Sequence, residues 1–527
     1  MYKITEGDFK NQNFGQEDYL RNWPMLYILE NGKQAYIGES NHVLMRMSQH
    51  KSIEEKMIFN KVHFIYANFF NQSVTFDYES KLIQYIAADE MYEITNKNAG
   101  LADKEYYEKK TYDEKFRMLW RRLQKEKLVR RSLEEIENSD LFKYSPFKEL
   151  NDDQREAVES ILGRLKKNLN QSIVINGMPG SGKTIVAIYL MKYLKDSEEF
   201  CNKKIGIVIP QTSLRLTIKK LFRSIYGLKA SDVLSPSDVT KSRYDILLVD
   251  EAHRLHQYKN ISYRGSFKKS CERLGMTTEC DELDWILAQC ECPIIFYDKM
   301  QVVGPSGIDE VRFNDKMLKD RRNRITEYFR LLTQMRVKGG NDYIGYIRSI
   351  LYNTVSEKKL FDNYEFKMIT NFSDFEKLMR QKDAEEGLSR MLAGYAWEWI
   401  SKEDKSKKDI EIEGMQKMWN NRTEGWVHCD TAIDEVGCIH SIQGYDLNYA
   451  FVILGNDIYY DKSTEQVAIN SKHYFDKNGK HTASYDDLLR YIKDIYYVLM
   501  TRGIKGTYLY VCNYDLKEYL EKFIEVI

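Results

Sequence analysis

The sequence has no long apolar run. No stretch approaches the ~18 apolar residues of a membrane span, and the opening "MYKITEGDFKNQNFGQEDY" has no apolar signal-peptide core. The expectation is a cytoplasmic protein with no membrane attachment. An excess of charge is also missing: Lys plus Arg and Asp plus Glu both number 79, giving a formal net charge of zero. That excludes a histone-like positive coat, although a polarised groove needs only local basic residues. Cysteine is sparse, with 8 in 527 residues irregularly spaced, which fits reduced thiols and not a disulfide framework. The one cluster, Cys271, Cys280, Cys290 and Cys292, lacks the paired CxxC spacing of common zinc modules and reads as buried thiols. Low-complexity tracts and short repeats are absent too.

What is present is enough for several cores, since domains run to ~100–200 residues each and the 43% hydrophobic content is ordinary. Three textures follow one another. Residues 1–102 carry short alternating strands and short helices. Residues 103–144 are charged, with Phe116, Leu119, Trp120 and Leu123 at helical spacing, as in a connector with one buried stripe. Its Arg117, Arg121, Arg122 and Lys125 form either a solvated face or a face for a phosphate backbone. From 145 onward, apolar strands such as "SIVING", "KIGIVIP", "YDILLVDE" and "CPIIFYD", then "FKMIT", "RMLAGYA", "YAFVILG" and "TYLYVC", alternate with helical segments. Strands apolar on both faces and separated by helices predict parallel sheets covered on both sides. The fold class expected is α/β, with two consecutive parallel-sheet domains over 145–325 and 326–527.

"INGMPGSGKTIVAIYLMKYL" is strand, glycine-rich turn and helix, the setting that a Walker A match requires. Gly177, Gly180 and Gly182 let backbone N–H groups wrap phosphates, Lys183 reaches the outer phosphates, and Thr184 ligates magnesium. "YDILLVDEAHRL" ends an apolar strand in two carboxylates. Asp250 can hold magnesium, directly or through water, while Glu251 orients or deprotonates the attacking water.

From about 145 to the C-terminus the chain resembles a superfamily 1 helicase with two RecA-like domains. "SPFKELNDDQREAV" resembles the adenine-reading Q motif, with Gln154 as the contact, and "VIPQTSLRLT" stands where motif Ia touches nucleic acid. "FYDKMQVVGP" resembles motif III, with Asp298 and Gln301 linking the phosphate site to the strand. "LLTQMR" offers Arg336 as motif IV, "EVGCIHSIQGYDLNYAFVILG" offers Gln443 and Gly444 as motif V, and "YYVLMTRGIKGTYLYV" offers Arg502 as motif VI. The details "LTQMR", "AGYAWEW" and "VLMTRGIKG" are most similar to the helicase-like domain at the C-terminus of some Schlafen proteins. The resemblance implies ATP and Mg²⁺ as cofactors, with Arg336 and Arg502 stabilising charge on the transferred phosphoryl group. No duplex-splitting wedge is visible, so translocation is the safer expectation than unwinding.

In the front segment, Asn31-Gly32 between two apolar segments is the signal of a two-residue type I′ hairpin turn. Such a turn sets Tyr27 opposite Tyr36, with both hydroxyls on one face. A helix follows in which Val43, Arg46, Met47 and His50 share a face. A second helix places Glu79 with Leu82, Ile83 and Ile86, a carboxylate on an apolar stripe that needs a partner or a metal. The pattern alone suits equally a small sheet with core tyrosines and an Arg46–Glu79 ion pair, or a catalytic site.

Residues 25 to about 100 resemble a GIY-YIG nuclease domain. "MLY" and "YIG" stand for the two half-motifs, Met25-Leu26 replacing Gly-Ile, while Arg46, Glu79 and Asn96, with Asn98 as a near rival, match the family's later residues. The resemblance implies phosphodiester hydrolysis with one divalent metal, Mg²⁺ or Mn²⁺, on Glu79. Arg46 would neutralise the phosphorane and Tyr27 or Tyr36 would activate water, with His50 as a further candidate base. The whole reads as a nucleic-acid translocase or helicase fused to an endonuclease, with DNA preferred to RNA as partner. Defence against foreign DNA is the suggested setting. The alternatives are DNA repair, RNA processing, or an ATP-switched binding protein with an inactive nuclease domain.

Overall fold

A computed structural model describes all residues except 1, 15–17, 98–105, 149, 303, 321, 423–424, 443–444 and 482. The expectations placed on Asn98, Gln443 and Gly444 lie outside the described residues. The chain divides into two compact units: Met1–Asp152 with Ile188–Asn202 and Leu216–Val233, and Asp153–Ala187 with Lys203–Arg215 and Leu234–Ile527. No described helix is long and apolar enough to cross a membrane.

The first unit is built on a five-stranded sheet of β1 (Lys3–Asp8), β2 (Met25–Glu30), β3 (Gln34–Ser40), β4 (Lys61–Tyr66) and β5 (Glu93–Ile94), in the order β1-β4-β2-β3-β5. β2 reads MLYILE and is buried along its whole length, as a central strand between two antiparallel partners should be. Helix α1 (Val43–Lys51) buries Val43, Met47 and His50. Helix α2 (Gln72–Asp89) is capped by Asn71, whose side chain accepts the Val74 N–H, and ends at Glu90 in the left-handed region. Helix α3 (Lys109–Lys125) buries the expected stripe of Phe116, Leu119, Trp120 and Leu123. Two of the arginines considered for a phosphate backbone are in ion pairs, Arg117 with Glu134 and Glu137, and Arg122 with Glu126.

The hairpin register differs from the expected one by two residues. Glu30 pairs with Ala35 and Tyr27 with Gly38, so Tyr27 does not oppose Tyr36. Gly32 has positive φ, but Asn31 does not, so the tip is not type I′, which needs positive φ at both central residues. Instead the Asn31 side chain accepts the N–H groups of Lys33 (3.0 Å) and Gln34 (2.8 Å), making a four-residue connection. Because strand side chains alternate with period two, a shift of two keeps Tyr27 and Tyr36 on one face, with ring centroids 6.4 Å apart.

The second unit holds two sheets. A six-stranded one combines β6 (Gln171–Gly177), β7 (Ile205–Val208), β8 (Val233–Leu234), β9 (Tyr244–Val249), β10 (Cys290–Tyr297) and β11 (Ile325–Leu331) in the order β11-β6-β10-β9-β7-β8. The pairings from β11 through β7 are parallel. β11, beyond the boundary read at 325, thus completes the sheet that carries the glycine-rich turn.

An eight-stranded sheet combines β12 (Glu365–Met368), β13 (Ser389–Ala393), β14 (Ile410–Ile412), β15 (Met415–Trp419), β16 (Glu435–Gly437), β17 (Leu447–Leu454), β20 (Gly503–Val511) and β21 (Glu525–Val526). Its central pairings are parallel, and only β14 with β15 is antiparallel. A separate hairpin joins β18 (Ile458–Asp461) and β19 (Gln466–Ile469). β17 and most of β20 are buried residue after residue, as parallel strands with both faces covered must be.

Candidate functional site

In the first unit the hairpin and α1 gather the front candidates. Tyr27 Oη and His50 Nε2 share a hydrogen bond of 2.8 Å, and the Tyr36 ring lies 5.2 Å from the His50 ring. The close fit has a visible cause in the "YIG" glycine. A β-carbon at Gly38 would lie 2.2 Å from Tyr27 Oη, so only glycine lets the Tyr27 ring cross β3 there. Burial raises both phenols, while the nearby Arg46 guanidinium acts against the rise. Burial and the charges of Arg46 and Lys56 push His50 down to about 3. His50 is therefore neutral at neutral pH and a weak base, which leaves it as the buried partner of Tyr27.

Glu79 is half-buried on α2. Burial and the neighbouring Glu39 carboxylate push it up to about 7, and Arg46 only partly opposes this. The Arg46–Glu79 ion pair, the alternative to a catalytic site, is not formed among the described residues: Arg46 bonds Gln49 at 3.1 Å and lies within electrostatic reach of Glu79. Asn96 is buried against β3. Its Oδ1 accepts the Ile37 N–H (3.1 Å) and its Nδ2 donates to the Ile37 carbonyl (2.8 Å), so the amide is spent on holding β3 between Tyr36 and Gly38.

Two neighbours were not legible as site residues. Glu39 directly follows the "YIG" glycine and receives a bond from Thr75 Oγ1 at 3.4 Å. Lys56 is buried with Nζ 2.9 Å from the Tyr36 ring centroid, and burial pushes it down to about 7. The paired carboxylates Glu39 and Glu79, each raised by burial, are hard oxygen donors that suit Mg²⁺ or Mn²⁺.

In the second unit the phosphate loop joins β6 to the helix Lys183–Asp196. Gly180 and Gly182 both have positive φ, and a β-carbon at Gly182 would lie 2.3 Å from Gln154 Nε2. Gln154 is buried against this loop and donates to the Ser181 carbonyl at 2.9 Å. Lys183 Nζ reaches the Gly177 (2.7 Å) and Met178 (3.1 Å) carbonyls and Asp298 Oδ2 (3.0 Å). Gln301 Nε2 donates to the same Asp298 oxygen at 2.6 Å, so the motif III pair meets the loop lysine directly. Thr184 Oγ1 donates to Asp250 Oδ2 at 2.7 Å. Asp250 Oδ1 is buried with no hydrogen-bond partner among the described residues. A hydroxyl beside a carboxylate with one orphaned oxygen fits a magnesium ion.

Glu251 adopts a left-handed backbone, φ 52° and ψ 41°, an arrangement that costs of order 1–3 kcal/mol and clusters at functional sites. Burial and the Glu251 charge raise Asp250. Burial would raise Glu251 as well, but His253, Arg254 and Lys183 outweigh it and hold that carboxyl low. Arg336 follows Met335, whose N–H donates to the Gly180 carbonyl at 2.9 Å, and its guanidinium is ion-paired with Asp446. Arg502 is fully buried and donates from Nε to the Val498 carbonyl at 3.0 Å. The buried Tyr497 phenol, raised by burial first, feels both the Asp298 and the Arg502 charges.

Residues 170–513, more than half of the chain, match the model of the Schlafen group 3 DNA/RNA helicase domain. The chain belongs to this family. Around the Schlafen group 3 helicase domain, wider similarity is looser. An uncharacterized protein of Saccharomyces cerevisiae, YPL245W, is 26% identical over 426 residues, which cover 70% of this chain and 90% of the relative. Among solved structures, Pif1 helicase from Bacteroides in complex with ADP-AlF3 and ssDNA is similar at a TM-score of 0.30 and 11% identity, over 68% of this chain and 92% of that one. Mss116p bound to ssRNA and AMP-PNP is similar at a TM-score of 0.32 and 14% identity, over 72% and 77%.

Within the helicase domain, sequence reading missed Asp446, two residues beyond the expected Gly444. Its carboxylate is the partner of Arg336, a tertiary pairing that no linear spacing announces. The four cysteines also separate. Cys271 and Cys280 meet at 3.1 Å between sulfurs, while Cys290 and Cys292 lie buried on β10. The described residues hold no group of three or more metal-binding side chains.

Proposed function

We propose that this chain is an ATP-driven translocase or helicase on a nucleic-acid strand, carrying a metal-dependent phosphodiesterase in its front unit. The observation that carries the motor half is the relay Lys183–Asp298–Gln301, which ties the phosphate loop to a motif III residue through two bonds to one oxygen. Lys183 and the loop amides would hold the nucleotide phosphates, and Glu251 would orient water on the γ-phosphate. Arg336 would exchange Asp446 for phosphoryl charge. Magnesium, held by Thr184 and Asp250, would supply Lewis-acid charge neutralisation when bound.

The front-unit reading is supported by Tyr27, Tyr36, His50 and Arg46 converging on one face, with Glu79 held well above its ordinary value. One of the phenols would orient the attacking water, Arg46 would bind the scissile phosphate, and Glu79 would hold the divalent ion that stabilises the leaving oxygen. DNA is favoured over RNA, and foreign-DNA defence over repair or RNA processing, on the resemblance of the two halves to families that act mostly on DNA.

A cleavage and ATP-hydrolysis panel on single- and double-stranded DNA and RNA, with and without ATP, tests this function. The expected result is strand-stimulated hydrolysis together with Mg²⁺- or Mn²⁺-dependent cleavage of DNA. Hydrolysis without any cleavage, across all four substrates and both metals, would reduce the front unit to a gripping module.

A further inference from the structure

Beside the turn that follows Glu251, the helicase unit carries a half-open cavity of about 370 Å³. Its walls come from the ends of three strands of the six-stranded sheet and from the eight-stranded lobe, and include Gln211, His253, Arg254, His256, Tyr263 and His440. Asp476 is its one carboxylate. Burial and the Arg254 charge push His256 down to about 4, so Arg254 is the permanent cation of this wall.

Two of the lining residues also touch the candidate water-orienting carboxylate. His253 Nε2 lies 3.0 Å and Arg254 Nε 3.7 Å from Glu251 Oε2. Neither contact is an aligned hydrogen bond. Nε and Nη2 of Arg254 and both ring nitrogens of His253 are buried with no hydrogen-bond partner among the described residues. Buried donors left in this state are costly, and an anionic oxygen in the cavity would satisfy those of Arg254.

We propose that the cavity takes a phosphodiester of a nucleic-acid strand and that Arg254 is the positioning residue coupling that strand to ATP hydrolysis. Without a strand, Arg254 sits on Glu251. A strand phosphate draws the guanidinium toward itself, since a fork of N–H donors binds phosphate oxygens better than one poorly aligned carboxylate oxygen. Glu251 is then free to orient water. The step it serves is balanced: the water oxygen bonds to the γ-phosphorus and the bond to the β,γ-bridging oxygen breaks. ADP leaves with that electron pair, and the products are ADP, inorganic phosphate and one proton.

The proposal rests on the motor reading, and the two fail differently. The measurement is ATP hydrolysis by the full chain with and without an oligothymidylate, for the wild type, Lys183→Ala, Arg254→Ala and Arg254→Lys. Arg254→Ala is expected to raise the strand-free rate roughly 5- to 100-fold, the usual span of coupling between two sites, and to bring the stimulation ratio close to one. Wild-type rates and stimulation in Arg254→Ala would overturn the proposal. So would a variant that binds a fluorescent ATP analogue but hydrolyses nothing under either condition.

If Arg254→Ala does not bind nucleotide at all, Arg254→Lys decides. That variant keeps the charge but loses the fork, and a smaller rise with weaker stimulation is expected; wild-type behaviour would again overturn the idea. Inorganic phosphate alone stimulating the wild type as the oligonucleotide does would assign the cavity to product phosphate and sink the strand assignment. No hydrolysis by the wild type, or full hydrolysis by Lys183→Ala, would instead remove the motor reading itself.

Discussion

The two candidate sites are built on opposite electrostatic plans. At the helicase site each named charge has a close polar neighbour: Lys183 has Asp298, Asp250 has Thr184, Glu251 lies beside His253 and Arg254, and Arg336 has Asp446. At the front site Tyr27, Tyr36, His50, Lys56 and Glu79 are wholly or partly buried with little direct ion pairing. Burial there moves Glu79 up and Lys56 down, each to about 7, and His50 down to about 3. A compensated site is rigid before its ligand arrives, whereas a site of displaced groups favours whatever ligand restores their charge. The difference teaches that the motor should be sensitive to the loss of single ion-pair partners and the front site to pH and to cations.

The sharpest break of this comparison is a pair of single substitutions. Lys183→Ala should lower strand-stimulated ATP hydrolysis by at least roughly a hundredfold, because it removes the phosphate-binding cation and leaves Asp298 buried without it. Cleavage assayed without ATP should survive that change. Glu79→Gln should do the reverse, removing cleavage by roughly 10²- to 10⁴-fold while leaving hydrolysis intact. If Glu79→Gln still cleaves at the wild-type rate, the front unit is not a nuclease of the proposed kind.

A smaller effect separates packing from chemistry in the front unit. Gly38→Ala places a methyl group 2.2 Å from Tyr27 Oη and should cost about 1–3 kcal/mol of stability, read as a lowered melting temperature. An unchanged melting temperature would mean that the Tyr27 ring has room to move.

The smallest effect is in pH. A carboxyl raised from 4.5 to about 7 on folding binds its proton more tightly in the native state. Its contribution to stability is fully present below pH 4.5, is lost as the pH rises to about 7, and changes no further above that. The wild type should therefore melt a few degrees lower at pH 7.5 than the other groups alone dictate, and Glu79→Gln should flatten this slope. Parallel pH profiles for the two proteins would show that Glu79 is an ordinary exposed carboxylate.

The motor was legible because its phosphate chemistry uses consecutive backbone. Gly177 to Thr184 must lie together in any fold, and a strand ending in Asp250-Glu251 advertises its position. Partners across the unit were not legible. Asp446 on Arg336 exists only once two sheets and their loops are packed. The front site was legible by face and not by register: period-two alternation placed Tyr27 and Tyr36 on the same side, but the Asn31 side chain built a longer tip than its dipeptide signals. Asn96 was read as chemistry because a motif asparagine says nothing of which amide it will bond. Its two bonds to Ile37 make it part of the scaffold.

The four-residue tip has one more implication, for how such a hairpin can change length. Adding or removing two residues there slides one strand by a whole pleat, and Tyr36 and Gly38 still face the Tyr27 side. An insertion of one residue would turn Tyr36 and Gly38 to the opposite face of the sheet and bring Ile37 to the face that Tyr27 and His50 share. Length variation at residues 31–34 among functional relatives should therefore come in even steps.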